Sequence, residues 1–435
     1  MRSRVGAEDS PDSAVVNEAG ADRLCEELSR RATGEWELYR KTGESLDLEA
    51  TGAGRATIAR REEGWAARWW DGDAPRFACG SSRETLESAL AEVSRIQTSK
   101  EPSPAWPAAK SPGRKTSGAL EPPPDLFEEL QRQLSAESHG EARLQRLTVR
   151  RGASAEHIVN GRGLDVFVCG ALLDGHALAI GRNGSRACEA RVVFRWDQGP
   201  NLESLARRLA DRATLPLSDK ATPVDRGEWL LEPSVGAALL SGLAPLFCED
   251  TLPKWIHRAE LFAPRVTIAD DASADALFDG EGTQTRRVVV VEGGTLAARL
   301  HDLRSAKRAG AAPTGHGVRP SYRVPPAPGP RRIFFETDAP APPRELLARV
   351  RRGLFASALT APARLDFDRD RYEVEFTGVA VIGGRAQGPV AGARATGRIS
   401  QLLRRIAGLS TDRQFFPMPY PAGAPTLFVE RADFD

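Results

Sequence analysis

The sequence is poor in the residues that build metal and redox centres. It holds only 5 cysteines and 6 histidines among 435 residues. The cysteines (Cys25, Cys79, Cys169, Cys188 and Cys248) are odd in number and scattered. No two form a Cys-x-x-Cys pair, so a zinc knuckle is not expected, and the set does not read as a disulfide framework. A reducing, cytoplasmic setting is the expectation. Long apolar runs are also missing. Nothing approaches the ~18 residues that a membrane-crossing helix needs. The N-terminus, Met1-Arg2-Ser3-Arg4, runs into Glu8, Asp9 and Asp12 without an apolar stretch, so no secretory leader is expected. Nor does one sign of charge dominate. With 60 basic and 59 acidic residues the net charge is +1. That balance offers no field for nucleic acid or an anionic membrane. No tandem repeat with a period of about 20–50 residues is visible.

What is present points to an α+β protein of two or three domains. Residues 1–20 are polar and acidic and read as a disordered tail. Residues 21–98 and 125–225 read as an N-terminal α+β domain. In it a helix from about Asp22 to Ala32 precedes an alternating meander. The meander's pieces are Glu35–Tyr39, Ser45–Glu49, Ala56–Ala59, Gly64–Trp70 and, after the turn signal Asp71-Gly72, Pro75–Cys79. Ser82 reads as the N-cap of a helix through Leu86 and Leu90. Helices from Leu126 to about Ala136 and from Leu202 to Ala213, and strands Asp165–Cys169 and Arg191–Trp196, follow. The helices should share one face of the sheet.

Residues 99–124 are rich in Pro, Ser, Lys and Gly and read as a linker or surface insertion, dispensable for folding. Residues 226–435 change texture: short strands alternate with Gly-rich turns, with Gly293-Gly294 and Gly383-Gly384 at hairpin positions. That predicts a β-rich, barrel-like or sandwich C-terminal domain. Trp65 and Trp69 fall on one strand face and Trp70 on the other, which suits burial in a core or interface.

Several segments, in order, match the pattern of one protein family. Gly64-Trp65-Ala66-Ala67-Arg68, Asp71-Gly72 and Phe77-Ala78-Cys79 resemble the end of its N-terminal meander. Val266-Thr267-Ile268-Ala269-Asp270-Asp271 and Phe278-Asp279-Gly280-Glu281-Gly282 resemble its central signature, as do Leu300-His301-Asp302 and Thr314-Gly315-His316-Gly317-Val318-Arg319. Gly378 through Gly384-Arg385, Pro389-Val390 and Gly397 resemble a later stretch. Together these segments resemble the TldD/PmbA metallopeptidase-related family, and, by the residues discussed next, its zinc-free, TldE-like members.

The resemblance implies a catalytic helix, His-Glu-x-x-x-His, with a distant cysteine. Two imidazoles and a thiolate hold zinc, and the glutamate takes a proton from the zinc-bound water. At the matching positions stand Ser241, Gly242 and Leu246. Pro245 would interrupt a regular helix. No histidine lies between His176 and His257, and no cysteine beyond Cys248. No catalytic residue and no metal or other cofactor are therefore expected in this chain. The resemblance further implies a partner, a TldD-like zinc metallopeptidase subunit, and a shared chamber that admits unfolded or modified peptides. His301, Thr314, His316 and Arg319 are the candidates for the chamber wall. The plainer reading of the two histidines is that they are surface or hydrogen-bonded residues. Asp270, Asp271, Asp279 and Glu281 lack calcium-loop spacing and read as turn-forming acids. Two rival functions stay open: a homodimeric peptide-binding protein without a protease partner, and a hydrolase with a site of its own.

Overall fold

The computed structural model describes residues 18–32, 35–93, 100–108, 122, 124–195, 201–217, 222, 224, 226–248, 253–257 and 260–433. The N-terminal domain uses one plan twice. Helix α1 (Glu18–Arg31), strands β1 (Trp36–Thr51), β2 (Gly54–Asp71) and β3 (Ala74–Gly80) and helix α2 (Arg83–Val93) form the first unit. Helix α3 (Leu126–Glu137), strands β4 (Ala142–Asn160), β5 (Asp165–Asn183) and β6 (Arg186–Arg195) and helix α4 (Leu202–Thr214) form the second. The sheet order is β3-β2-β1-β4-β5-β6. The two meanders thus lie back to back, with β1 and β4 antiparallel at the centre. This duplication escapes a search for short repeats because its unit is a whole helix–meander–helix.

Local chemistry sets the ends of these elements. Ser82 Oγ accepts from the Thr85 N–H at 3.3 Å, and Asn201 Oδ1 accepts from the Ser204 N–H at 2.9 Å, capping α2 and α4. Gly72, at φ 60°, makes the tight turn between Asp71 and Ala74. The sequence pattern broke β1 and β2 into shorter pieces, and the structure joins them. The joining stretch carries no apolar alternation. It is held across the strands by ion pairs Arg40–Glu63 (2.9 Å), Lys41–Glu62 (3.4 Å), Glu44–Arg61 and Asp47–Arg60 (3.0 Å). Helix α1 starts at Glu18, inside the stretch expected to be a tail; residues 1–17 and Trp196 lie outside the described residues.

All four helices cover one face. On one half, Leu24, Leu28, Leu86 and Leu90 pack on Trp36, Leu38, Trp65 and Trp69, with Val159 of β4 against them. On the other, Leu130, Leu134, Leu205 and Leu209 pack on Leu147, Val149, Val192 and Phe194. Leu147, Val149 and Val159 are all odd positions of an unbroken stretch of β4, which puts the two clusters on the same side.

The C-terminal domain is built on two larger sheets. One runs Thr295–Leu296, Arg287–Glu292, Thr267–Asp271, Ile333–Glu336, Ala422–Ala424, Gln414–Phe416. The other runs Arg364–Asp366, Arg371–Ile382, Arg352–Leu359, Arg226–Leu231, Leu427–Asp433, Ile406–Leu409, with Arg385–Gly397 also on Arg371–Ile382. Helix α5 (Pro233–Leu243) shares one core with both sheets, and nearly every one of its residues is buried. A helix apolar all round belongs inside a domain. Gly293-Gly294 and Gly383-Gly384 do form hairpin turns, all four at positive φ. Among the described residues no helix is long and apolar enough to cross a membrane.

The start of the expected linker is a strap rather than a spacer. Glu101 N–H donates to Asp73 O at 2.6 Å, and its own carbonyl accepts from Trp70 Nε1 at 2.9 Å. Its carboxylate meets Arg304 and Arg308 of the C-terminal domain. Trp106 is 4% exposed, packed edge-on to Trp70 and against Leu303. Residues 109–121 lie outside the described residues. One tryptophan in a Pro-rich run gives no periodic signal, which is why the pattern missed it. Trp106→Ala is expected to cost about 3–5 kcal/mol of stability, as burial of a large ring is lost. Urea unfolding measures it. A change below about 1 kcal/mol would return residues 101–107 to the role of a spacer.

Candidate functional site

The signature loops of the C-terminal domain meet the N-terminal sheet in a buried ionic cluster. Glu37 of β1 and Arg68 of β2 are register partners on adjacent strands. Arg68 Nη2 lies 3.0 Å from Glu37 Oε2, and its Nη1 lies 2.6 Å from Glu281 Oε1. Arg319 closes the ring: one Nη2 contact reaches Glu37 Oε1, and Nε donates to Gly280 O at 3.2 Å. The second oxygen of Glu281 accepts from Leu303 N–H at 2.7 Å. Asp279 accepts from the N–H groups of Glu281, Thr283 and Gly317 at 2.8–2.9 Å. Asp279 is thus the turn-former its surroundings predicted, whereas Glu281 is an ion-pair partner.

A second layer fixes those loops. His316 Nε2 lies 2.9 Å from Asp270 Oδ1, and its Nδ1 lies 2.9 Å from Thr314 O. Asp270 Oδ2 also accepts from the N–H groups of Arg331 and Arg332. Thr314 Oγ1 accepts from His301 N–H at 2.8 Å, and His301 Nδ1 lies 3.3 Å from Ser305 Oγ. Asp302 and Ser305 form a capping box at the start of the helix Leu303–Ala309.

The structure therefore brings His301, Thr314, His316 and Arg319 together, but not as an open wall. They are 6%, 5%, 0% and 6% exposed. The placement differs from the chamber lining expected of them, because hydrogen bonds and the ion pair to Glu37 turn these side chains inward. Within this chain they lock loops to the sheet. Glu37 was missed by sequence reasoning. Its signal was an acid set between Trp36 and Leu38 and facing an arginine in the hairpin register.

The positions that match the catalytic helix lie elsewhere, on and just beyond α5. Ser241 is buried, and its Oγ accepts from the Tyr420 N–H at 3.1 Å. A Cβ on Gly242 would stand 3.0 Å from Leu365 Cδ1. The α-helix stops at Leu243, and Ala244–Phe247 tighten into a 3-10 turn carrying Pro245. Leu246 is 1% exposed in the central core. Among the described residues no group of three or more His, Cys, Asp or Glu side chains is placed to hold a metal ion.

Helices α4 and α5 meet through charged groups. Glu232 caps α5, accepting from the Ser234 N–H at 3.1 Å. Arg212 donates to Ser234 Oγ at 2.7 Å, and Arg208 stands 3.9 Å from Glu232. Beside them burial pushes the Asp211 carboxyl up to about 6, against the pull of Arg207. A carboxyl held above its unfolded value stabilises the fold fully only below the ordinary carboxyl range, and that stability is lost as pH rises through about 6. Asp211→Asn should therefore gain on the native protein between about pH 4 and about pH 7, by about 3 kcal/mol at the upper end. Parallel thermal unfolding across that range tests it. A constant difference would refute the assignment.

A sequence profile for the PmbA/TldA metallopeptidase C-terminal domain matches residues 230–435. An uncharacterized protein from Methanocaldococcus jannaschii is 30% identical over 194 residues, 41% of this chain and 44% of that protein. The match thus spans less than half the length of that relative. Among solved structures, TldE from Thermococcus kodakarensis superimposes with a TM-score of 0.81 and 17% identity, over 95% of this chain and 99% of its own. A Thermotoga maritima protein described as a candidate modulator of a DNA gyrase gives 0.78 and 18%, over 96% and 100%. Its counterpart from Bacteroides thetaiotaomicron gives 0.75 and 15%, over 97% and 99%. At these identities the structural likeness is one of fold.

Proposed function

We propose, from the premise that this chain belongs to the TldD/PmbA/TldE metallopeptidase-related family, that it is the zinc-free, non-catalytic member of a two-subunit peptidase. One observation carries the reading. The three positions that the resemblance assigns to zinc and its base are Ser241, Gly242 and Leu246, and two of their side chains are committed elsewhere. Ser241 accepts a backbone hydrogen bond, Leu246 is core, and Gly242 has no side chain. A serine hydroxyl is a poor zinc ligand, and glycine and leucine offer no donor. Zinc therefore does not fit the residues present.

In this reading the partner is a TldD-like subunit carrying His-Glu-x-x-x-His, and this chain completes its chamber. The substrates are unfolded or modified peptides, which β-rich surfaces can hold by main-chain pairing whatever their sequence. The balanced charge of the chain favours neither nucleic acid nor an anionic membrane as a partner.

The test is co-expression with such a homologue from the same genome, followed by size-exclusion chromatography with light scattering. Cleavage of an unstructured peptide is then assayed for each chain alone and for the mixture. Activity confined to the mixture, with zinc only in the homologue, is the expected result. Cleavage by this chain alone, or a stable homodimer that ignores the homologue, would overturn the reading.

A further inference from the structure

The ionic seam between the two domains uses one end of β2, around Arg68; the other end of the strand leaves an edge bare. β2 pairs with β1 along its length, from Trp69 opposite Trp36 to Gly54 opposite Thr51, in one unbroken register. On its other side β3 pairs only with residues 65–71. Among the described residues no strand pairs with the outer edge of residues 54–64. Residues 54–61 and Glu63 are also exposed, so nothing in the chain covers the faces of this stretch.

The parity of the ladder shows which backbone groups are left over. The Trp70 N–H donates toward β1, to Glu35 O at 3.0 Å. Alternate residues of an antiparallel strand bond to a given neighbour. The even residues of β2 therefore bond to β1. The N–H and C=O groups of Arg55, Thr57, Ala59, Arg61 and Glu63 point outward. Edge strands are ordinarily guarded by proline, a bulge, a cover or charge. Residues 54–64 contain no proline and no register shift, and charge is the guard that remains.

The order of those charges admits one strand in particular, a second β2. Antiparallel pairing of two copies centred on Ala59 uses the whole stretch from Gly54 to Gly64. It sets Arg55 against Glu63 of the second copy, twice by symmetry. Thr57 then faces Arg61, Ile58 faces Arg60, Ala56 faces Glu62 and Ala59 faces its own copy. No position has a like charge directly opposite, and odd residues meet odd residues, so every outward N–H and C=O finds a partner. Arg55 and Glu63 pair with Glu128 and Arg40 within the chain, but both stand at the surface, where such pairs are weak and can be shared. A strand of arbitrary sequence would meet Arg55, Arg60, Arg61, Glu62 and Glu63 without matching them.

We propose that the free edge of β2 is a self-association surface: two copies of this chain pair β2 with β2, antiparallel about Ala59, and join their six-stranded sheets into one. The contact is isologous and one strand wide, so the dimer is reversible. It is independent of the peptidase reading. A dimer that still takes up the homologue satisfies both, and one that excludes it sinks that reading and leaves this surface standing.

Sedimentation velocity of the full chain, over about a hundredfold range of concentration, tests it. The mass should rise from 47.0 kDa toward twice that value. Ala59→Pro removes an outward N–H at the centre of the pairing, where an edge strand tolerates proline. It should keep its circular dichroism and weaken the dimer about tenfold or more. Arg55→Glu sets acid against acid and should weaken it about tenfold, and adding Glu63→Arg should recover it. A chain that stays monomeric throughout would overturn the proposal. So would a dimer that survives Ala59→Pro, or one that ignores the charge exchange. A monomer in which an added unstructured peptide slows hydrogen exchange at residues 55–63 would overturn it in favour of a peptide slot. Should Ala59→Pro not fold, the charge exchange decides.

Discussion

Replacing Arg68 by methionine is expected to lower stability by about 3–5 kcal/mol, although methionine is apolar and of similar length. The side chain is 2% exposed and lies between two carboxylates, those of Glu37 and Glu281. Its guanidinium also lies over the Trp106 ring, 4.6 Å from the centroid. The variant leaves Glu281 with only the Leu303 N–H and Glu37 with only Arg319. Breaking one side of a buried pair costs more than the pair contributes, because the remaining carboxylates lose a cationic partner and gain no water in exchange. Urea unfolding followed by tryptophan fluorescence suits the measurement, since Trp70 and Trp106 flank the arginine. A double-mutant cycle makes it specific. Glu281→Gln should cost less in the Arg68→Met background than alone, because the orphaned charge has then been removed. A loss below about 1 kcal/mol, or strictly additive costs, would show that the seam is not held as described.

That result would also explain what the sequence could and could not reveal. Patterning exposed the four N-terminal helices, the α2 cap at Ser82, the Gly-Gly hairpins and the division into an α+β and a β-rich part, because each rests on contacts close along the chain or on simple alternation; it gave none of the helices of the C-terminal part. The even–odd rule placed Trp65 and Trp69 together and Trp70 apart, and the structure puts Trp70 with Trp106 and Leu303 instead of the helix-covered core. What stayed hidden was long-range. The ion pairs that fuse β1 and β2 look like a solvated charge run until the strands are put in register. The link from Arg68 to Glu281 spans both domains, and no local period predicts it. The resemblance drew attention to the loops around Glu281 and His316 and implied an open chamber wall. Only the packing shows the side chains turned into a seam.

The triple change Ser241→His, Gly242→Glu, Leu246→His restores the letters of a catalytic helix and should restore neither zinc nor activity. Its main expected effect is a loss of several kcal/mol, most of it from Leu246→His. Leu246 is 1% exposed among apolar neighbours, so the imidazole loses the leucine's packing and enters the core without a partner, at about 2–5 kcal/mol. Ser241→His removes the acceptor of the Tyr420 N–H and needs room that a buried helix lacks. Gly242→Glu is the mildest of the three. The nearest atom to a new Cβ is the tip of Leu365, which is only half-buried and can move. Geometry fails as well as stability. Two ligands of the pattern must project from one regular helix, whereas here the α-helix ends at Leu243 and the next turn is a 3-10 turn carrying Pro245. No cysteine follows Cys248 to supply the third ligand. Thermal unfolding of Leu246→His and of the triple variant, with elemental analysis of both, gives the answer. One zinc per chain in the triple variant with an unchanged melting temperature would mean that this segment keeps the geometry of a metal site, and the account of its packing and of the turn at Pro245 would fall.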